Sequence, residues 1–538
     1  MESKEKANLL GTTFDGKSKL PERTKEWIPQ KSTKKQCSFM MLRVKATEKI
    51  LKALDQDKAT GPDGLPGRIL KECAEELALP VTILAKRMLV LGSWPECWRY
   101  HWISPLFKKG SSSNASNYRG VHLTSVLSKT VERVLGKIIS DYLEESGSFG
   151  ETQWAFRAGH SCRDLVALAT SRWILEFHAG NKIGIFLSDI SGAFDRVSSE
   201  LLLRKLEAAG VQDDMLRFLE SYLEARVSQV LVEGSKSTEF VLEDSIFQGT
   251  VLGPKLWNVF FQDVSTAPPD GFQEMKFADD LTCSKVFPAE TSNESIVKEL
   301  TDCEEAVYDW GVRNQVLFDP QKKSFGILHD SEGDGEDFRF LGSWMDTALR
   351  METNVQKMLG KARPKVTALL RTKRFYETSE MVNQYKTHVL CHLELNTGSF
   401  YHALASVLEP MDKLQTHFLA EIGLKPENAF LEHNLLPLRT RRDIAMLGLM
   451  FKCAHGQAHE DLRQLFPRHT VVEHSYSTRS ICHRHSLQLE EHRPGTKHAL
   501  LRRSIFGLTR VWNRLPREAV ALETTKDFQK ILTKYFRM

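Results

Sequence analysis

Apolar residues at 215, 216, 218, 219, 222 and 223 form a one-sided stripe at helical spacing, so residues 215–223 are predicted as an amphipathic helix whose apolar face is core. The same period predicts helices over 40–54 (Leu42, Ile50, Leu51, Leu54), 67–77, 80–90, 126–143, 164–178, 201–209 and 255–261. Gly180 and Gly210 stand where helix stops are expected. A second pattern is shorter and denser. Lys182-Ile183-Gly184-Ile185-Phe186-Leu187-Ser188 is an apolar run with the length of a buried strand. Residues 227–232 and 239–246 read as paired strands around Gly234-Ser235. The runs at 101–107 and 117–124 flank a Ser/Asn-rich loop. Residues 1–38 are polar, Lys-rich and without period, and are expected to be loose. The elements therefore divide into a loose N-terminus (1–38), a helical extension (39–100), a mixed α+β region (101–345) and a mainly helical remainder (346–538).

Composition adds little to this until its distribution is considered. The 538 residues are 41% hydrophobic and 26% charged, ordinary values that allow a packed core and about three domains. The net charge of +4 conceals an asymmetry, since Lys and Arg outnumber Asp and Glu beyond residue 361 whereas residues 1–360 are net acidic. The basic surface thus falls in the C-terminal third and suits a polyanionic partner; the plainer alternative is a solvated helical face. Nine Cys form no CxxC pair and the N-terminus has no signal-peptide pattern, which fits reduced thiols inside a cell. The longest apolar tract, 77–91, is broken by Lys86 and Arg87, so no membrane span is expected. Most of the 18 His lie beyond residue 361, but Cys453-Ala454-His455 and Cys482-His483-Arg484-His485 match no standard zinc spacing and read as structural or surface residues.

The candidate chemistry centres on Phe277-Ala278-Asp279-Asp280. A strand–turn–strand would carry both carboxylates at a hairpin tip. An Asp-Asp pair alone is commonly just a solvated turn. A third carboxylate, Asp189, ends the apolar run 182–188 and changes the balance. Three carboxylates from two strands can hold two divalent ions about 3.5–4 Å apart, as phosphoryl-transfer enzymes do. Basic residues flank the loop between 101–107 and 117–124: Lys108 and Lys109 on one side, Arg119 on the other. After Asp189 come the small residues Gly192 and Ala193, which allow close approach to the backbone, and the bulky Phe194. Gln248 and Gly249 lie in the bend Phe247–Pro254.

In this order the segments resemble the reverse transcriptase of non-LTR (LINE-type) retrotransposons, from about residue 40 to the C-terminus. The resemblance rests on Gly61–Gly64, Lys108–Gly110 with Asn117–Arg119, Gln153–Arg157, Asp189–Asp195, Phe247–Pro254 and Phe277–Asp280, followed by Phe340-Leu341-Gly342 and Trp512-Asn513-Arg514-Leu515-Pro516. Ala155 replaces a motif Gly, Phe247 a Pro, Thr250 a Ser and Asp319 an Asn. The resemblance implies an α+β right-hand polymerase: fingers and palm over 101–345, with an antiparallel palm sheet, then a basic helical thumb and C-terminal region. It implies primer extension with dNTPs on an RNA template, a DNA primer or target, two Mg²⁺ ions (Mn²⁺ as a substitute), and an intracellular ribonucleoprotein of nucleus or cytoplasm.

By the same resemblance Asp189, Asp279 and Asp280 are the catalytic and metal-binding carboxylates. Lys108 or Lys109 with Arg119 holds the triphosphate, and Gly192 and Ala193 offer it backbone N–H groups. Phe194 excludes a ribose 2′-hydroxyl, Gln248 and Gly249 shape the pocket, and Lys322 lies near the primer. Family members carry an endonuclease domain ahead of the polymerase, for which the residues before 40 leave no room, so a truncated element or partial gene is expected. The alternatives are a decayed or domesticated copy that only binds nucleic acid, or an intron-maturase or telomerase-like enzyme, which would lack the trailing segments.

Overall fold

The computed structural model describes residues 2–23, 36–37, 41–469, 485–491 and 499–535. Four helices, α1 (Ser3–Ser18), α2 (Val44–Lys52), α3 (Gly67–Glu72) and α4 (Ala74–Leu91), precede strands β1 (Tyr100–Phe107) and β2 (Tyr118–Leu123). Then follow α5 (Val126–Glu145), α6 (Cys162–Ala179), β3 (Lys182–Ser188), α7 (Ser199–Ala208), α8 (Asp213–Leu223), β4 (Arg226–Val232), β5 (Ser235–Lys236), β6 (Phe240–Leu242) and α9 (Gly253–Phe261). The hairpin β7 (Gln273–Phe277) and β8 (Asp280–Phe287), α10 (Asn293–Asn314), β9 (Ser324–Leu328), β10 (Phe338–Phe340) and β11 (Ser343–Met345) complete the mixed region. From α11 (Glu352–Arg371) onward the described residues form helices, linked by loops and one isolated bridge.

Most helices lie where the apolar period puts them, with their ends set by local chemistry. Ser125 caps α5 by accepting from Ser128 N, and Ser161 caps α6 by accepting from Asp164 N. Pro80, expected to open a helix, instead lies inside α4, which begins six residues earlier at Ala74. The strand expected over 239–246 shrinks to β6, because only Phe240–Leu242 pair with β4.

Two sheets organise the mixed region. Antiparallel β7, β8, β3 and β9 lie side by side in that order. All of β3 except Leu187 is buried, because both faces are covered. Ile183 and Ile185 pack with Trp173 and Ile174 of α6, whereas Phe186 packs in the cluster that contains Leu300 and Cys303 of α10. Gly184 allows α10 this close, since a Cβ there would meet Ile296 Cγ2 at 2.9 Å. The second sheet runs β2-β1-β4, with β1 antiparallel to β2 and parallel to β4.

The expectation of a loose N-terminus is corrected by α1. Ala7, Leu10 and Phe14, at spacings of three and four, are buried. Leu10 and Phe14 share a cluster with Ile103, Val230 and Leu242 of the second sheet and with Phe247 in the bend that follows it. Glu2 and Glu5 form a reciprocal capping box that fixes the helix start. Three buried apolar residues among many polar ones, with Leu9 exposed beside them, make a narrow stripe, which is why the period is inconspicuous.

Several buried histidines are held neutral. Burial lowers His122 to about 3 and His402 to about 4, and His101 well below its usual range. Neutral His402 donates from Nε2 to Leu349 O at 2.8 Å. An unfolded His takes up its proton near pH 6.5, so the unfolded state binds more protons than the fold between about pH 4 and 6.5. Stability from these groups is complete above that window and lost as pH falls through it. For His402 alone, unfolding free energy is expected to drop by about 3 kcal/mol between pH 7 and pH 4. His402→Gln should be less stable at pH 8 yet show a shallower acid slope in denaturant titrations.

Candidate active site

The tip of the β7–β8 hairpin is Ala278-Asp279, with Phe277 paired to Asp280. Ala278 has φ 59°, the positive value that the first central residue of such a tight turn takes and that usually calls for Gly. Neighbouring side chains hold it there. Gln153 Oε1 accepts from Ala278 N at 3.0 Å, and Ala278 O accepts from Gln153 Nε2 at 3.2 Å and Trp257 Nε1 at 2.9 Å. Gln153 and Trp257 are positioning residues; the Gln153–Arg157 motif points to the first, whereas Trp257 lies in a predicted core helix and carries no signal of its own.

Asp189 follows β3, which pairs with β8 so that Ser188 lies opposite Leu281. That register brings Asp189 alongside Asp279 and Asp280. Asp279 is half-buried. Its proton affinity is raised by burial and by Asp189, against the pull of Arg119 and Lys108. Asp280 is exposed at the turn, yet partial desolvation, then Asp279 and Asp189, push it up to about 6. Its other charged neighbours are Arg339 and Lys322. Asp279 thus feels the cations of the β1–β2 hairpin, whereas Asp280 feels Arg339 and Lys322.

Among the described residues no three His, Cys, Asp or Glu side chains close around one point as a metal cluster. Asp189 is instead drawn to Lys322, whose Nζ lies 2.8 Å from Asp189 Oδ2 and 3.0 Å from Asp319 Oδ2. The donor set nevertheless suits divalent cations. It is all oxygen, the charge of Asp189 raises the proton affinity of both Asp279 and Asp280, and an ammonium already serves Asp189 as counter-charge. Asp319, where the motif has Asn, anchors Lys322 and donates its backbone N–H to Asp189 O at 2.9 Å.

Basic residues face this end from the β1–β2 hairpin. Lys108 N donates to Asn117 O at 2.8 Å across the loop. Burial lowers Lys108's proton affinity, followed by Arg119; Asp195 and Asp189 oppose this. Lys109 is exposed at the hairpin tip. Asp195 was another residue left without a role, although the Ala193-Phe194-Asp195 motif pointed to it. It accepts from Gln248 Nε2 at 3.1 Å and lies among Lys17, Lys108 and Arg119. Gly192 has φ 69° and Ala193 is buried. Phe194 is half-buried, stacked on Trp257 at 5.6 Å and edge-on to Phe156 at 6.3 Å.

The bend holding Gln248 rests on a buried polar layer. Gly249 has φ 107°, and a Cβ there would meet His122 O at 2.8 Å. Gln248 O accepts from His122 N at 2.7 Å. Phe247 lies edge-on to His101 at 5.2 Å and to His122 at 5.4 Å, with the Arg226 guanidinium 4.1 Å from its ring centre. Thr250 Oγ1 donates to Phe247 O at 2.8 Å, a bond that Ser in the motif could also make.

Residues 107–345 match the family model described as reverse transcriptase (RNA-dependent DNA polymerase). Over these residues the chain is similar to that family. All three carboxylates, Lys108, Arg119 and Lys322 fall inside the matched residues. Among curated relatives, "Probable RNA-directed DNA polymerase from transposon BS" of Drosophila melanogaster is 29% identical over 262 residues, 48% of this chain and 29% of that protein. "RNA-directed DNA polymerase from mobile element jockey" of Drosophila melanogaster is 25% identical over 405 residues, 70% of this chain and 43% of that protein. The chain therefore spans less than half the length of either relative. A solved structure of apo telomerase from Candida tropicalis, truncated from its C-terminal domain, aligns with 53% of this chain and 59% of its own at 12% identity and a TM-score of 0.33, a likeness too slight to build on.

Beyond the residues matched by the family model, the histidines with described contacts are structural. His455 Nε2 donates to Val520 O and His485 Nε2 to Trp512 O, at 2.9 and 3.0 Å. Cys482, His483 and Arg484 lie outside the described residues. No described helix is long and apolar enough to cross a membrane.

Proposed function

We propose that the chain is an RNA-directed DNA polymerase that extends a primer 3′-hydroxyl with dNTPs on an RNA template. The observation that carries this is the meeting of Asp189, Asp279 and Asp280 at one sheet end, opposite Lys108 and Arg119. In the right-hand arrangement, the β7-β8-β3-β9 sheet is the palm, the β1–β2 hairpin belongs to the fingers, and the helices after Met345 supply thumb and C-terminal region. Asp189 and Asp279 would hold two Mg²⁺ ions, with Asp280 supporting them. When bound, such ions lower the proton affinity of the attacking hydroxyl and neutralise charge on the transferring phosphoryl group.

The chain's own residues bind and orient the substrate. Lys108 and Arg119 place cationic donors toward the triphosphate, with Lys109 exposed at the same tip. The turn at Gly192 and Ala193 offers backbone N–H groups to it. Lys322 holds Asp189 and Asp319; with a divalent ion on Asp189, its ammonium would be available to a primer phosphate while Asp319 keeps it in place. Gln248, oriented by Asp195, and Gly249 border the base. The test is primer extension by the purified chain on an RNA template: dNTP- and Mg²⁺-dependent products support the reading, and template binding without extension favours a copy that only binds nucleic acid.

Phe194 tests the sugar pocket. Its ring stands on Trp257, close in sequence to Asp189, where a 2′-hydroxyl would clash. Phe194→Val is expected to admit ribonucleotides while largely retaining deoxynucleotide incorporation, at a cost of about 1–3 kcal/mol for the lost packing. Parallel rNTP and dNTP assays with a melting curve check this. A lower melting temperature with unchanged sugar preference would make Phe194 core alone.

A further inference from the structure

Helix α1 precedes the residues matched by the family model, yet its last turn reaches the proposed nucleotide pocket. Lys17 Nζ donates to Ser116 O and Tyr118 O, each at 3.1 Å, and Lys17 O accepts from Arg196 Nε at 2.6 Å. One residue thereby joins the far arm of the β1–β2 hairpin to the loop after β3. Each end carries pocket residues. Tyr118 immediately precedes Arg119, and the hairpin bond from Lys108 N to Asn117 O ties Lys108 to the same arm. Arg196 immediately follows Asp195, which accepts from Gln248.

The charges agree with this placement. Burial lowers Lys17's proton affinity first, then Lys108; Asp195 acts in the opposite direction, and Arg196 lowers it further. The Lys17 ammonium spends two donors on backbone carbonyls. Its described bonds therefore make it a support for the pocket rather than a phosphate ligand. The rest of the segment is seated on both sides. Asn8 Oδ1 accepts from Thr238 N at 2.9 Å, Leu10 and Phe14 are buried on the second sheet, and Pro21 O accepts from Gln315 Nε2 at 2.8 Å. Gln315 closes α10, which lies against β3. Residues 3–21 therefore span from the hairpin's sheet to the sheet of the carboxylates.

We propose that α1 is a brace across the substrate end of the molecule, and that Lys17 is a positioning residue that sets the hairpin bearing Lys108 and Arg119 against the loop bearing Phe194 and Asp195. This rests on the reading of those residues as the nucleotide pocket. A flexible ammonium with three donors can hold two carbonyls at once; Met fills the same space with no donor.

The test uses the full chain with Lys17→Met and Lys17→Arg, reading amide hydrogen exchange over 107–119 and the dNTP dependence of primer extension. Lys17→Met is expected to speed exchange in the hairpin and raise KM for dNTP about tenfold, the size of a lost charge-assisted bond, with a smaller fall in kcat. Lys17→Arg should restore both. A Lys17→Met protein with a lowered melting temperature but wild-type hairpin exchange and KM would overturn the proposal and leave α1 as packing. Arg119→Ala, measured alongside, separates the two layers. If its KM equals wild type, the nucleotide-pocket reading fails, whereas the exchange measurement still decides whether Lys17 braces the hairpin.

Discussion

Asp279→Asn is expected to abolish primer extension while leaving template–primer affinity near wild type. The substitution keeps the shape of the side chain and removes the charge facing Lys108 and Arg119. A carboxylate that serves divalent ions acts on the chemical step, whereas nucleic-acid affinity comes mainly from cationic contacts to phosphate. The expected loss is about 100-fold or more in extension rate. Removing one of three mutually repelling carboxylates also relieves Asp280, whose proton affinity Asp279 raises. The variant should therefore melt no lower than wild type, since function here opposes stability. Extension at more than about a tenth of the wild-type rate would contradict the two-metal assignment.

The largest stability effect is expected at Arg226. Its side chain is fully buried, with Nη2 donating to Tyr222 O and Nη1 to His101 Nε2, both at 2.8 Å. Its charge opposes the burial that raises Glu132's proton affinity. Glu132 Oε2 accepts from Val251 N at 2.6 Å, from Leu252 N at 3.2 Å and from Tyr222 OH at 3.2 Å. Glu132 thus ties the bend after Gln248 to α5. Arg226→Met leaves Tyr222 O and His101 Nε2 buried without their donor and removes the charge that favours the Glu132 carboxylate, a loss of about 2–5 kcal/mol. Denaturant unfolding should show that loss, and Glu132→Gln in the same background should recover part of it. A loss below about 1 kcal/mol would mean that the layer beneath the bend contributes little to holding it.

Much of this site was legible because its motifs are local. The apolar run of β3 with Asp189 after it, and the Phe-Ala-Asp-Asp hairpin, each declare strand, turn and carboxylate within ten residues. Pairing between β3 and β8 then follows from two short apolar runs buried on one core. The contacts that orient the site are not local. Lys322 and Asp189 are 133 residues apart in sequence, Gln153 and Ala278 are 125 apart, and Lys17 and Arg196 are 179 apart. No period or spacing encodes such pairs; they arise only after the sheets and helices dock. Helix α1 was missed for a different reason, since three small patches of apolar surface suffice when a sheet face lies ready to receive them.

Phe247 carries a consequence for how chains of this kind can exchange segments. Its ring is enclosed by His101 from β1, His122 from β2 and Arg226 from β4. Proline at that position would leave a ring-sized void beneath the guanidinium and remove the surface that keeps both imidazoles dry. The four residues therefore pack as one unit. A chimaera joined between β2 and β4, taking one side from an element with Phe and the other from an element with Pro, would bring together halves that do not fit. Crossovers upstream of His101 or downstream of Phe247 would keep the unit whole, so viable mosaics of such elements should have their seams there.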